Sequence, residues 1–192
     1  MIRNHQEMRR CLDIEAEKLN IRHFWVQWLT GSEFACIYHY MWVLRHLELY
    51  MSRSRSNSLW HLPRLFFLVW HRKLRVRYGI HLGPDAAAAG FHLVHLGFLR
   101  CYGIAEIGEN CTVLPMVLFG KRTPAVGEGR LIHVGHDCYF GTGCTVLGPC
   151  RIGNNVTVAA GAVVTMKEIP DNAIVAGVPA RIVKYKTEKP TL

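Results

Sequence analysis

From residue 107 onward a large apolar residue returns at every sixth position. Ile107, Val113 and Phe119 form one run, and Val134, Phe140, Val146, Ile152, Val158 and Val164 form another. A helix repeats every 3.6 residues and a strand every 2, so a sustained six belongs to neither alone. Between Phe119 and Val134 lie one repeat and nine extra residues. The place after the large residue is often small (Gly108, Gly120, Gly135, Gly141, Gly153, Ala159). Two places before it stands a second inward candidate: Cys111, Ile132, Cys138, Cys144, Cys150, Val156 or Ala162. A six-residue unit holds one short strand and one corner. Three units close a triangular coil, and coils stacked at strand spacing make a parallel β-solenoid. The small residue lets the chain turn, while His136, Asp137, Asn154 and Asn155 take outward places. No unit buries its own apolar residue, so the repeats fold only as a stack.

Residues 1–78 lack this beat. "QEMRRCLDIEAEKLN" and "EFACIYHYMWVLRHLELYMSRS" have helical spacing, with Ala35, Tyr38, Met41, Val43 and Leu47 among the apolar places. "SRSRSNS" (52–58) reads as a polar linker. The stretch after it, "LWHLPRLFFLVWHRKLRVRYGI", predicts a third helix beginning at Pro63. The expected organisation is a helical region over 1–78, a solenoid over 79–180, and a terminal strand with tail over 181–192.

Composition narrows the partners. Half of the 192 residues are hydrophobic, which excludes a disordered chain. The formal charge is +9, and most of the excess lies in the first ninety residues. A basic protein attracts nucleic acid, anionic lipid or small anionic ligands. No base-reading motif accompanies the charge, so no nucleic-acid partner is expected. The basic, aromatic third helix has the composition of a membrane-surface helix, but packing on its own protein is the expectation. The first residues are too charged for a signal peptide, and the apolar run 59–70 is too short to span a bilayer. A cytoplasmic location is therefore expected. The seven cysteines show no metal-ligand spacing. No metal site is expected, and the four cysteines on the repeat read as compact core filler.

The ending "AAGAVVTMKEIPDNAIVAGVPARIVKYK" (159–186) carries a more specific signature. Together with the repeat, it resembles the hexapeptide-repeat acyltransferases. The subgroup is that of the serine acetyltransferases and related polysaccharide O-acetyltransferases, and the resemblance covers about 79–186. It implies a mainly β fold, a left-handed parallel β-helix after an N-terminal α-helical region. It implies acetyl-CoA as acyl donor, a small hydroxyl-bearing acceptor and a homotrimer with sites between subunits; the pairing of two trimers through the front helices stays open. In "HLVHLGFLRCYG" (92–103), His95 matches the family's catalytic base. The chemistry needs one, because a hydroxyl attacks a thioester only as a base removes its proton. Thr142, Ala160, Thr165 and Lys167 match positions along the pantetheine arm of CoA. Arg181 and Lys184 match the basic pair at its phosphates. Lys121 and Arg122, in the inserted loop, are placed to reach the nucleotide.

Two departures stand out. The family's second His would follow Arg130, where this chain has Leu131. The acidic partner of the base would fall near Ile80, leaving Asp85 as the nearest candidate. Both losses fit an acceptor other than L-serine, such as a sugar hydroxyl. Two other readings share the fold. One is a γ-class carbonic anhydrase, with zinc held by histidines such as His92, His95, His133 and His136. The other is a non-catalytic solenoid scaffold.

Overall fold

A computed structural model describes residues 2–123 and 129–187. Four α-helices open the chain: α1 (His5–Lys18), α2 (Phe24–Leu29), α3 (Glu33–Arg53) and α4 (His61–Tyr78). Asn4 caps α1 by accepting the Glu7 amide at 2.8 Å, and the Glu7 carboxylate takes the Arg3 amide in return. The linker expected over 52–58 begins inside α3. Met51 still packs on the core there, and the helix continues to Arg53 before the Ser54 hydroxyl bonds back to the Met51 carbonyl. The next helix starts at His61 rather than Pro63. Proline is tolerated in a first turn, whose amides have no partner within the helix. Gly79, at φ 70°, ends α4 in the left-handed conformation.

The solenoid then winds through three parallel sheets in fixed rotation. The first holds Ile80–His81, Leu99–Arg100, Val117–Lys121, Thr145–Gly148 and Val163–Val164. The second holds Ala105–Ile107, Ile132–Val134, Cys150–Ile152 and Glu168–Ile169. The third holds His92–Leu93, Thr112–Val113, Tyr139–Phe140, Thr157–Val158 and Ala173–Gly177, and Ala180–Tyr185 closes it antiparallel. Every residue of the six-residue runs is buried, and so are Cys111, Cys138, Cys144 and Cys150. Phe119 and Phe140 meet edge to face at 5.2 Å in the interior. At the corner after the second sheet, Gly108, Gly135 and Gly153 stack. A Cβ on Gly135 would come within 2.8 Å of the Gly153 carbonyl carbon, and one on Gly153 within 2.7 Å of the Asp171 amide. The small residue is required by the coil beneath it as much as by the turn. In the last coil the beat shortens: Val164 pairs with Val146, but Ile169 pairs with Ile152, so Thr165–Glu168 cuts the corner by one residue.

The first coil has no coil above it, and side chains of the helices stand in for one. Some carbonyls of this coil point down to the second coil and others up to the helices. Gly79 and His81 accept from Leu99 and Cys101 below. Ile80 and Leu82 accept from the Tyr40 hydroxyl, 3.0 Å from each oxygen. Ala87 and Ala88 accept from the Arg45 guanidinium at 2.9 and 3.0 Å, and Gly90 from Lys18 at 2.7 Å. The Asp85 amide donates to Glu48 at 2.8 Å. Arg45 is buried, as are its partners Glu15 at 2.5 Å and Glu48 at 3.0 Å. Burial pushes the Glu15 carboxyl up, and the Arg45 charge against it opposes that shift without reversing it.

Candidate functional site

His95 lies on the corner where the first coil passes from the third sheet back to the first. Glu33 reaches it from the first turn of α3. Glu33 Oε2 is 3.2 Å from His95 Nδ1, and Oε1 accepts the Leu96 amide at 2.5 Å. Both side chains are partly open, 55% and 38% exposed. The start of a helix favours a carboxylate, and the Leu96 amide fixes its rotamer. With the Nδ1 proton donated to Glu33, Nε2 is left as the basic nitrogen. The resemblance puts an acidic partner of His95 near Ile80, with Asp85 the nearest candidate. Asp85 instead faces α3, where its backbone is tied to Glu48. The carboxylate beside His95 comes from sixty-two residues earlier in the chain, a separation at which no local pattern exists.

The corner bearing His95 continues down one edge of the prism. Below it lie Pro115 and Met116, then Thr142, then Ala160; the Met116 amide bonds to the Phe98 carbonyl, and the Gly161 amide to that of Thr142. Coils approach closely here, since a Cβ on Gly141 would lie 2.5 Å from the Ala160 nitrogen. The Thr142 and Ala160 side chains are exposed on this edge below His95. Arg181 pairs across from Ala176 near the foot of this edge, and Lys184 across from Ile174. Both are exposed.

Lys121, Thr165 and Lys167 lie elsewhere, on the edge between the first and second sheets. Lys121 ends its strand beside Gly148. The Thr165 carbonyl accepts from the Arg122 guanidinium, and the Lys167 carbonyl takes the Arg151 amide at 2.8 Å. The seven positions assigned to CoA therefore form two groups in a single chain. Residues 124–128 of the inserted loop and 188–192 of the tail lie outside the described residues.

A second charged cluster covers the outer face of the second sheet. Glu106 is 3.3 Å from Arg130 and 3.5 Å from His133, with Arg151 next in register. His136 Nδ1 accepts the Glu109 amide at 3.0 Å. His92 is partly buried, and burial lowers its pKa. The four histidines of the zinc reading thus sit in different settings, and among the described residues no group of three His, Cys, Asp or Glu is placed to hold a metal. The cleft between α1 and the second sheet, lined by Arg10, Glu48, Asp85, Glu106 and Arg130, contains none of the residues assigned to catalysis or CoA.

Residues 132–165 match the family model described as bacterial transferase hexapeptide (six repeats). The serine acetyltransferase of Bacillus subtilis (strain 168) is 31% identical over 156 residues, covering 75% of this chain and 70% of the relative. Serine acetyltransferase 4 of Arabidopsis thaliana is 28% identical over 169 residues, covering 85% of this chain. The chain spans 47% of that relative's length. The crystal structure of serine acetyltransferase from Brucella abortus strain S19 in complex with coenzyme A has a TM-score of 0.68 and 21% identity, covering 95% of this chain and 70% of that one. The fold is a left-handed parallel β-helix preceded by a helical region.

Proposed function

We propose that this chain, which belongs to the serine acetyltransferase-like hexapeptide-repeat acyltransferases, moves the acetyl group of acetyl-CoA onto a hydroxyl. His95 is its general base and Glu33 the carboxylate that holds the base. The observation that carries this reading is the His95–Glu33 pair, at the head of the edge that bears Thr142 and Ala160. His95 Nε2 takes the hydroxyl proton as the oxygen attacks the thioester carbonyl. The imidazolium then formed is stabilised by Glu33 and returns the proton to the departing thiolate, giving an ester and free CoA thiol. Thr142 and Ala160 border the arm of the donor, and Arg181 and Lys184 offer charge to its phosphates.

A homotrimer belongs to the same proposal. Neighbouring copies packed flat to flat would set one chain's His95 edge beside another's Lys121–Lys167 edge, joining the two groups of CoA positions. The cytoplasm, where acetyl-CoA is made and thiols stay reduced, is the compartment this reading calls for. The names of the relatives make serine the first acceptor to test. Leu131 and Ile80, which replace the family's second His and acid, direct the same assay to sugar hydroxyls.

The test is thiol release from acetyl-CoA across amino acids, sugars and nucleotide sugars. His95→Ala is expected to lower turnover about 10²–10⁴-fold. Glu33→Gln is expected to cost about tenfold, the modest end for a half-exposed charge-assisted bond. Near-normal turnover by His95→Ala would remove it from the mechanism.

A further inference from the structure

Helix α4 is apolar on two opposite sides. Phe67, His71 and Leu74 are buried beneath it. On the outer side Leu62, Leu65, Phe66, Val69 and Val76 recur at helical spacing, all exposed, Leu62 at 78% and Phe66 at 60%. The surface continues onto α2 through ring contacts. Phe66 meets Trp70 at 5.4 Å, Trp70 meets His39 at 5.3 Å, and His39 meets Trp28 at 6.4 Å. Helix α2 buries no residue, and its Trp25 and Leu29 are 71% and 76% exposed. Single apolar residues on a surface need no explanation, but a continuous stripe of this extent does.

The charge on this surface selects its occupant. Residues 49–84 contain no Asp or Glu and seven Arg or Lys. Among these, Arg72, Lys73 and Arg77 are exposed beside or within the stripe. A second copy docked across a twofold would place the same patch on both sides, setting cation against cation with no carboxylate in the segment to answer. A bilayer with anionic headgroups answers both features at once. Its acyl boundary takes the Leu, Val and Phe side chains, its interface takes tryptophan, and its phosphates take the cations. No helix among the described residues is long and apolar enough to cross a membrane, so the contact is with the surface.

We propose that the outer face of α2 and α4 seats this protein on an anionic lipid surface. Packing of α4 on its own protein, the expectation from its composition, accounts for one side of the helix, and lipid accounts for the other.

The experiment is co-sedimentation of the full chain with vesicles of phosphatidylcholine alone or mixed with phosphatidylglycerol. Binding to the anionic vesicles is expected to be about 100-fold tighter than to the neutral ones and to weaken as salt is raised. Replacing Leu65 and Phe66 together by Ser should reduce it by about 100-fold or more. Both are exposed, so the melting temperature and lipid-free sedimentation coefficient should stay unchanged. Arg72→Gln with Lys73→Gln should narrow the preference for anionic vesicles. Equal binding to the two vesicle types, binding to neither, or undiminished binding by the Leu65/Phe66 variant would overturn the proposal. So would a smaller assembly formed by that variant, which would make the face a contact between copies. The readout is partition rather than turnover, so the outcome is independent of whether acetyl transfer by His95 holds.

Discussion

Across the plane between α3 and the first coil, the same need is met by different chemistry. Within the solenoid each coil satisfies its neighbour through backbone hydrogen bonds, and the side chains inside are almost wholly apolar. On the helical side no strand is available, and Tyr40, Arg45, Glu48 and Lys18 reach down to the backbone groups that a further coil would have taken. The solenoid distributes its stability over many equivalent positions. The junction concentrates it in a few buried polar groups, each of which is costly to leave unpaired. A repeat therefore tolerates variation at most places, while its terminus depends on individual side chains.

That contrast can be broken most forcefully at Arg45. Arg45→Ala leaves buried Glu15 and Glu48 without a countercharge and two carbonyls without a donor, and is expected to cost about 3–5 kcal/mol. Chemical denaturation measures it. A loss comparable to an ordinary surface substitution would show that the junction is not held this way.

The next effect is on acid stability. His71 Nε2 lies 3.0 Å from the Tyr40 hydroxyl, and burial lowers the His71 pKa to about 4 from 6.5. The folded state thus resists a proton that the unfolded chain accepts. The associated stability is fully present above pH 6.5 and is lost as pH falls toward 4, about 3 kcal/mol in all. His71→Gln should flatten that part of the stability–pH curve. An unchanged curve would place the acid sensitivity outside the junction.

The smallest effect sharpens the solenoid side. Gly135→Ala forces a methyl against the backbone of Gly153, and about 1–3 kcal/mol should be lost. Thermal melting of this variant beside Gly120→Ala makes the comparison, since a Cβ on Gly120 meets only the Leu147 and Leu118 side chains, at 3.5 Å or more. Equal losses at the two positions would mean that coil-to-coil contact is not what selects glycine.

Legibility followed the same division. The coils could be read from Val134 to Val164 because stacking imposes a period, and a period survives any single substitution. The nine-residue insertion between Phe119 and Val134 was equally visible, as an interruption of the beat. The short helix α2 has six residues and no side-chain cap, so nothing in its sequence announced it. Glu33 could not be found because its relation to His95 exists only after α3 has docked. His95 itself was marked by resemblance, not by any physical property of "HLVHLG". The division of the CoA positions between two edges was likewise invisible, since a six-residue repeat does not say which sheet a corner follows.

The way the first coil ends has a bearing on solubility. A parallel stack with an open end offers rows of unpaired amides and carbonyls, the same template on which amyloid fibrils grow. Here Tyr40, Arg45, Glu48 and Lys18 occupy that template at one end, and the antiparallel strand Ala180–Tyr185 covers the third sheet at the other. Because the groups at the first end are single side chains rather than a strand, they block further β-pairing without offering a new edge of their own. The junction therefore limits how far the stack can grow, and it keeps a fold built by repetition from repeating through other molecules.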